Sequence, residues 1–236
     1  MGDLRYSFVK LQVAKRNSQP LMRVWQTIRT PLIGRHVHKR AYAALVLFGC
    51  YEEAGDSGRH RVQAGNVVLH EAFEAHLDRI PRFGTVVLNV PLPAQYAFRS
   101  GVGRVDDPDA IVRLVEKGDS EAAALRLWST EIREPEFKDW PDELATLLAR
   151  DASVNLSGWS EAKGISAWDL SRSFGKVFAI SPCAFRARAR TRQAWRAIRT
   201  AGTPLSAIAA HLGFADQAHM TRSVKNMTGD CPSAWR

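Results

Sequence analysis

The chain has 236 residues, 45% hydrophobic and 24% charged, enough material to bury a core in one or two domains. It contains no run of 18 or more apolar residues, which excludes a membrane-spanning helix. Its three cysteines, Cys50, Cys183 and Cys231, lie too far apart for a disulfide framework, and 33 Lys+Arg against 24 Asp+Glu leave a net charge of +9.

The amino-terminal stretch has no apolar segment ahead of a small-residue cleavage site, so a reducing, cytoplasmic location without a membrane partner is expected. Charge is unevenly placed. Residues 150–236 hold 13 Lys+Arg and 5 Asp+Glu, so nearly all the excess sits in the last third. Lopsided positive charge points to a polyanion, nucleic acid ahead of an anionic surface; a solvated basic face is the plain alternative.

In chain order, residues 21–105 read as β-rich. The runs VWQTI, AALVLF, RHRVQ, NVVLH and TVVLNV are short, rich in β-branched residues and separated by Gly, Asp, Pro and Ser, which suggests a sandwich or barrel. Beyond Val105 the pattern turns helical: Ile111, Leu114 and Val115, then Ala122, Leu125 and Trp128, with Asp109 or Asp119 as candidate caps. Pro141 fits the first turn of a further helix ending near Arg150. The expected organisation is α+β: a β domain over 1–105, a helical connector or dimerisation region over 106–150 and a helical domain over 151–236.

The last third repeats itself. Trp168–Arg186 aligns without gaps on Ala218–Arg236, matching Arg172 with Arg222, Ser173 with Ser223, Pro182 with Pro232, Ala184 with Ala234 and Arg186 with Arg236. Hydrophobic positions pair with hydrophobic positions. Each copy has the grammar of a helix-turn-helix: a turn glycine (Gly164, Gly213), a cap (Ser166, Asp216) and inward residues at i, i+4 (Leu170 and Phe174, Met220 and Val224). Thr203 is a candidate cap for the helix opened by Pro204. Trp168, Ser171, Arg172 and Lys176 then share the outer side of one helix, and Gln217, His219, Arg222, Lys225 and Asn226 lie on the outer side of the other. The helix between the copies carries Arg186, Arg188, Arg190, Arg192, Arg196 and Arg199, a stripe expected to contribute affinity for phosphate or a solvated face.

Leu205–Arg236 resembles the signature of AraC-type bacterial transcriptional regulators, and Leu156–Ile198 resembles the first half of the same DNA-binding domain. The resemblance implies two helix-turn-helix subdomains joined by a long helix, whose recognition helices enter successive major-groove segments. It implies double-stranded DNA, RNA polymerase, a small-molecule effector and a second copy of the chain as partners, and regulation, activation included, in place of catalysis. Carried over by position, Trp168, Ser171, Arg172 and Lys176 match contacting sites of the first recognition helix, and Gln217, His219, Arg222 and Lys225 those of the second. Arg172 and Arg222 suit guanine and Gln217 suits adenine, with phosphate as the alternative for either Arg. The sequence departs from the family pattern at Val224, Asn226 and Ala179.

His36-Val37-His38 and the Gly65, Val67, His76 layout resemble the two motifs of a cupin barrel, a fold that sensor domains of such regulators use. Four histidines, His36, His38, His70 and His76, are expected to converge inside it, either lining an effector pocket or ligating a divalent metal. The Glu that usually follows the His pair is absent, with Ala41 and Tyr42 near its place, and Asn66 and Glu71 replace the usual Asp and Pro. Three readings remain open: an effector-controlled regulator, a cupin-type metal-dependent enzyme with a DNA-binding tail, and a constitutive DNA-binding protein whose barrel dimerises. No GxSxG, GxGxxG, Walker or HExxH motif supports a catalytic centre.

Overall fold

The computed structural model describes residues 24–94, 100–151, 153–200 and 202–236. The expectation drawn from the amino-terminal stretch lies outside these residues. Eight strands come first: β1 (Trp25–Ile28), β2 (Leu32–Val37), β3 (Tyr42–Gly55), β4 (Gly58–Gln63), β5 (Asn66–His70), β6 (Ala75–Arg79), β7 (Thr85–Pro91) and β8 (Gly101–Arg104). Eight helices follow: α1 (Pro108–Glu116), α2 (Ser120–Trp128), α3 (Trp140–Arg150), α4 (Leu156–Ala162), α5 (Ala167–Phe178), α6 (Pro182–Thr200), α7 (Leu205–His211) and α8 (Gln217–Thr228). A 3-10 turn, Pro232–Trp235, ends the chain.

The sheet is organised by β3, 14 residues long and antiparallel to every neighbour. Its first half pairs with β5 on one side and β7 on the other, giving the order β1-β7-β3-β5-β8. From Cys50 onward it pairs with β4 and β6, and β6 in turn carries β2. The change of partners follows a register shift between Val46 and Phe48 and the left-handed Gly49, φ 78°. A Cβ there would run into the carbonyl oxygen of Gly84, so only glycine fits the corner. Two leaves thus share one bent strand, and among the described residues the sheet does not close into the barrel that the cupin resemblance implied.

Each face of this sheet buries a different partner. Ala43, Leu45, Val67, Leu69, Leu88 and Val90 pack under α1 and α2 through Ile111, Ala123, Ala124 and Leu127. The opposite side, Tyr42, Ala44, Val46, Val68 and Val102, meets Tyr51 and Val62 beyond the bend. A third core joins the sheet to the helical region directly: Ala54 and Leu77 pack with Leu144 and Leu148 of α3 and with Phe174, Phe178 and Phe185. The fourth lies wholly in the last helices, among Ala194, Ile198, Ile208, Met220 and Val224. So α1 and α2 belong to the sheet's packing, whereas α3 sits against α5 and α6.

Helix starts follow local chemistry with two corrections. Asp119 caps α2 by accepting from the Ala122 amide, as its position suggests. For α1 the cap is Asp107, which accepts from the Ala110 amide at 2.9 Å, and Asp109 falls in the first turn. Thr203 makes no cap: Pro204 occupies that place, and the Thr203 carbonyl accepts from Arg236 at 2.6 Å. At the end of α5, Ala179 adopts the left-handed conformation, φ 52°, where glycine carries no steric penalty. Ala179→Gly is expected to stabilise the fold by about 1 kcal/mol, read as an upward shift of the urea midpoint at constant slope.

Candidate functional site

The two carboxyl-terminal copies fold as paired helix-turn-helix units. In the first, α4 is capped by Asn155, the chain turns at Gly164, and Ser166 caps α5 by accepting from the Asp169 amide at 3.1 Å. In the second, α7 ends at His211, the chain turns at Gly213, and Asp216 caps α8 by accepting from the His219 amide at 2.6 Å. Burying Leu170, Phe174 and Phe178 on α5, and Met220, Val224 and Thr228 on α8, dictates which sides remain outside. Trp168, Ser171, Arg172 and Lys176 are exposed on α5, as are Gln217, Arg222 and Lys225 on α8. Trp168 is 64% exposed, and the Arg172 guanidinium lies 4.6 Å from its ring centre. His219 differs from its neighbours: it is half-buried, with its ring edge-on to Phe214 at 5.4 Å.

The arginine stripe of α6 turns partly inward, which corrects the expectation of a face open to phosphate or solvent for Arg188 and Arg192, whereas Arg196 and Arg199 stay exposed. Arg192 is 5% exposed and binds Asp56 at 3.3 Å and Glu71 at 2.9 Å. Arg188 donates to Asp56 at 3.0 Å and to the Phe73 carbonyl, and Arg196 pairs with Glu71. Arg186 is turned to the Val154 carbonyl, Arg190 to that of Gly213 and Arg199 to that of Ala94. Arg35 of β2 completes the cluster, binding Asp56 and the last carbonyl of α5, that of Phe178, at 3.2 Å. Burial disfavours the charge on Arg192, but Glu74, Asp56 and Glu71 more than compensate and raise its pKa. Arg79 also caps the end of α5 through the Lys176 and Val177 carbonyls. The second subdomain reaches the sheet region through Trp235, stacked edge-on against Phe73 at 5.7 Å.

The four histidines do converge. Cross-strand register sets His36 opposite His76, and Tyr42 opposite His70, on neighbouring strands. The rings of His36 and His76 are 4.3 Å apart, those of His70 and His76 4.4 Å, and those of His36 and His38 4.9 Å. His70 and His76 are buried; His36 and His38 are half-buried. Sequence reasoning missed three neighbours. Glu53 stands across from His60 and Asp78 in the β3 pairings and meets His70 Nε2 at 3.4 Å; the Tyr42 hydroxyl lies 3.5 Å from His76 Nε2. The signal was the acidic pair Glu52-Glu53 at the end of an apolar strand, where alternation turns one residue inward.

Burial lowers the His38 pKa to about 4, with repulsion from His36 and His70 adding to it. Burial, reinforced by His70, His36 and His38, holds His76 well below its ordinary value. At His70 burial acts in the same direction, yet the Glu53 carboxylate outweighs it and the pKa rises. Asp78 is pushed up by burial and by Glu53.

Between the sheet and α6 lies a cavity of about 1160 Å³, lined among others by Lys39, Arg40, Phe73, Trp195, Arg199 and Trp235. No sequence pattern marked it, because its walls come from segments far apart in the chain.

Residues 159–236 match the family model described as a helix-turn-helix domain. Among solved structures, the chain is similar to a probable AraC family transcriptional regulator from Rhodopseudomonas palustris CGA009, at 23% identity over 39% of this chain and 88% of that one, TM-score 0.36. It is similar to the C-terminal domain of AraT, a response regulator from Geobacillus stearothermophilus, at 18% identity over 43% and 86%, TM-score 0.39. ToxT from Vibrio cholerae aligns over 90% of this chain and 98% of its own, at 8% identity and TM-score 0.42. None of the curated proteins compared with the chain matches it.

Asp56 is the anion shared by Arg35, Arg188 and Arg192, and removing it strands buried charge. Asp56→Ala is expected to cost about 3–5 kcal/mol in urea denaturation followed by tryptophan fluorescence, and an unchanged midpoint would show that the guanidiniums find other partners. Beside this charged interface, the matched region, with its two capped helix pairs and their exposed polar sides, makes the carboxyl-terminal third a helix-turn-helix domain.

Proposed function

We propose that α5 and α8 are the two recognition helices of a sequence-specific regulator, and that the amino-terminal domain controls their use. The observation carrying this reading is the pair of outward helix sides, each with an arginine and polar donors beside it and a hydrophobic seam behind it. In this reading Arg222 and Gln217 read base edges from α8, and Trp168, Ser171 and Arg172 act from α5. Lys176 and Lys225 neutralise phosphate. His219 contributes from its half-buried place beside Phe214.

Control follows from how the domains are joined. Arg35 and Arg79 hold the carboxyl end of α5, Asp56 and Glu71 hold α6, and Phe73 holds Trp235. An effector shifts such an arrangement only through different affinities for the joined and released forms. A small molecule in the cavity of about 1160 Å³ touches both sides at once, and one bound at His36, His38, His70 and His76 acts through β2, which carries Arg35, and through the turn after β3, which carries Asp56. The chain acts by binding, with RNA polymerase and a second copy of itself as partners at the promoter.

The test is selection of a binding sequence from random duplex DNA, followed by titration of variants. Arg222→Ala is expected to cost about 1–3 kcal/mol and to relax preference at one base position, whereas Lys225→Ala weakens all sequences alike. An Arg222→Ala protein that keeps every preference assigns Arg222 to phosphate. The log–log dependence of affinity on salt is expected to have a slope of several units, for about 5–8 phosphates neutralised; a flat response would remove the electrostatic basis of the reading.

A further inference from the structure

The cluster around His76 holds more ligating atoms than its hydrogen bonds use. His70 and His76 are 2% and 3% exposed, and Nδ1 of each lacks a hydrogen-bond partner. Glu53, 1% exposed, turns Oε2 to His70 and leaves Oε1 without a partner, as Asp78 leaves Oδ1. A buried polar group left in that state keeps the full cost of its lost hydration, and here several are crowded into one place. Hydrogen bonding alone gives no reason for packing imidazole rings 4.3–4.4 Å apart inside a sheet.

The donor set supplies one. Glu53, His70 and His76 form one group, and His36, His38 and His76 a second; within each, the ligating atoms all lie within 4.8 Å of one another, with His76 common to both. Ligands about 2.0–2.2 Å from a shared ion stand roughly 3–4.4 Å apart, so small side-chain rotations close either group. Neutral imidazoles with one carboxylate suit zinc, iron, cobalt or nickel; calcium and magnesium prefer oxygen. We propose that this cluster binds one divalent transition-metal ion, with Glu53, His70 and His76 as the buried ligands and His36 and His38 at the half-exposed mouth.

The site is wired to the domain interface by chain neighbours. Arg35 precedes His36 and binds Asp56; Ala75 precedes His76, and its amide donates to Asp56 at 3.0 Å. Drawing His36 and His76 onto an ion therefore pulls on two partners of the carboxylate that anchors Arg188 and Arg192. That an ion here bears on DNA binding rests on the regulator reading; that it binds does not.

The experiment uses the full-length, untagged, chelator-stripped protein, titrated with Zn²⁺ by calorimetry and with Co²⁺ by visible absorption. Expected are one ion per chain, ligand-field bands for Co²⁺, and binding weaker by at least about tenfold in Glu53→Gln and His76→Gln. Because those positions are buried, His38→Gln at the half-exposed mouth is measured as well, with circular dichroism confirming the fold; it too is expected to weaken binding. No saturable binding, or binding undiminished in all three variants, overturns the site. Metal binding is read in the absence of DNA, so DNA binding that fails with and without metal overturns the regulator reading and leaves the site standing.

Discussion

The carboxylate of Asp56 sits where two domains become one object. It follows the last residue of β3, is nearly buried, and is contacted by guanidiniums from β2 and from two successive turns of α6. Charges taken out of water repay the cost only when paired with good geometry, and here Glu71 and Glu74 add anions around Arg192. The position of α6, and with it the spacing of the two helix-turn-helix units it joins, is thereby tied to the sheet.

That coupling changes what the positive charge of the last third means. A net surplus was legible in composition, but the α6 arginines that contribute most of it are engaged by carboxylates and carbonyls of the same chain, Arg192 in a buried place and Arg196 in an exposed one. The cations facing solvent on α5 and α8 are Arg172, Lys176, Arg222 and Lys225. In the proposed reading the unpaired positive charge available to DNA therefore lies mainly on α5 and α8.

The amino-terminal half shows the same economy in the bent strand β3. One continuous run delivers Tyr42 at its start and Glu53 near its end, and the corner at Gly49 folds the two leaves over a common interior. Antiparallel pairing on either side then brings His70 and His76 to these residues. Acidic and imidazole groups that are far apart in sequence become immediate neighbours, and His70 beside Glu53 is shifted up while His76 among the other imidazoles is shifted down.

Local chemistry was readable from the residues alone wherever the deciding contacts lie within one or two turns. The caps Asp119, Ser166 and Asp216, the turn glycines Gly164 and Gly213, the inward seams of α5 and α8 and the runs that became β1, β3, β4, β5 and β7 all follow from propensity and period. The strands β2, β6 and β8, whose apolar residues are interrupted by Gly, Arg, His or Asp, did not stand out. What required the tertiary structure was everything set by distant partners: the open, two-leaved sheet in place of a barrel, Glu53 among the histidines, and the inward turn of Arg188 and Arg192 on α6. An arginine pattern at i, i+4 fixes which residues share a helix side, but only the element packed against that side decides whether it meets water, phosphate or a buried carboxylate.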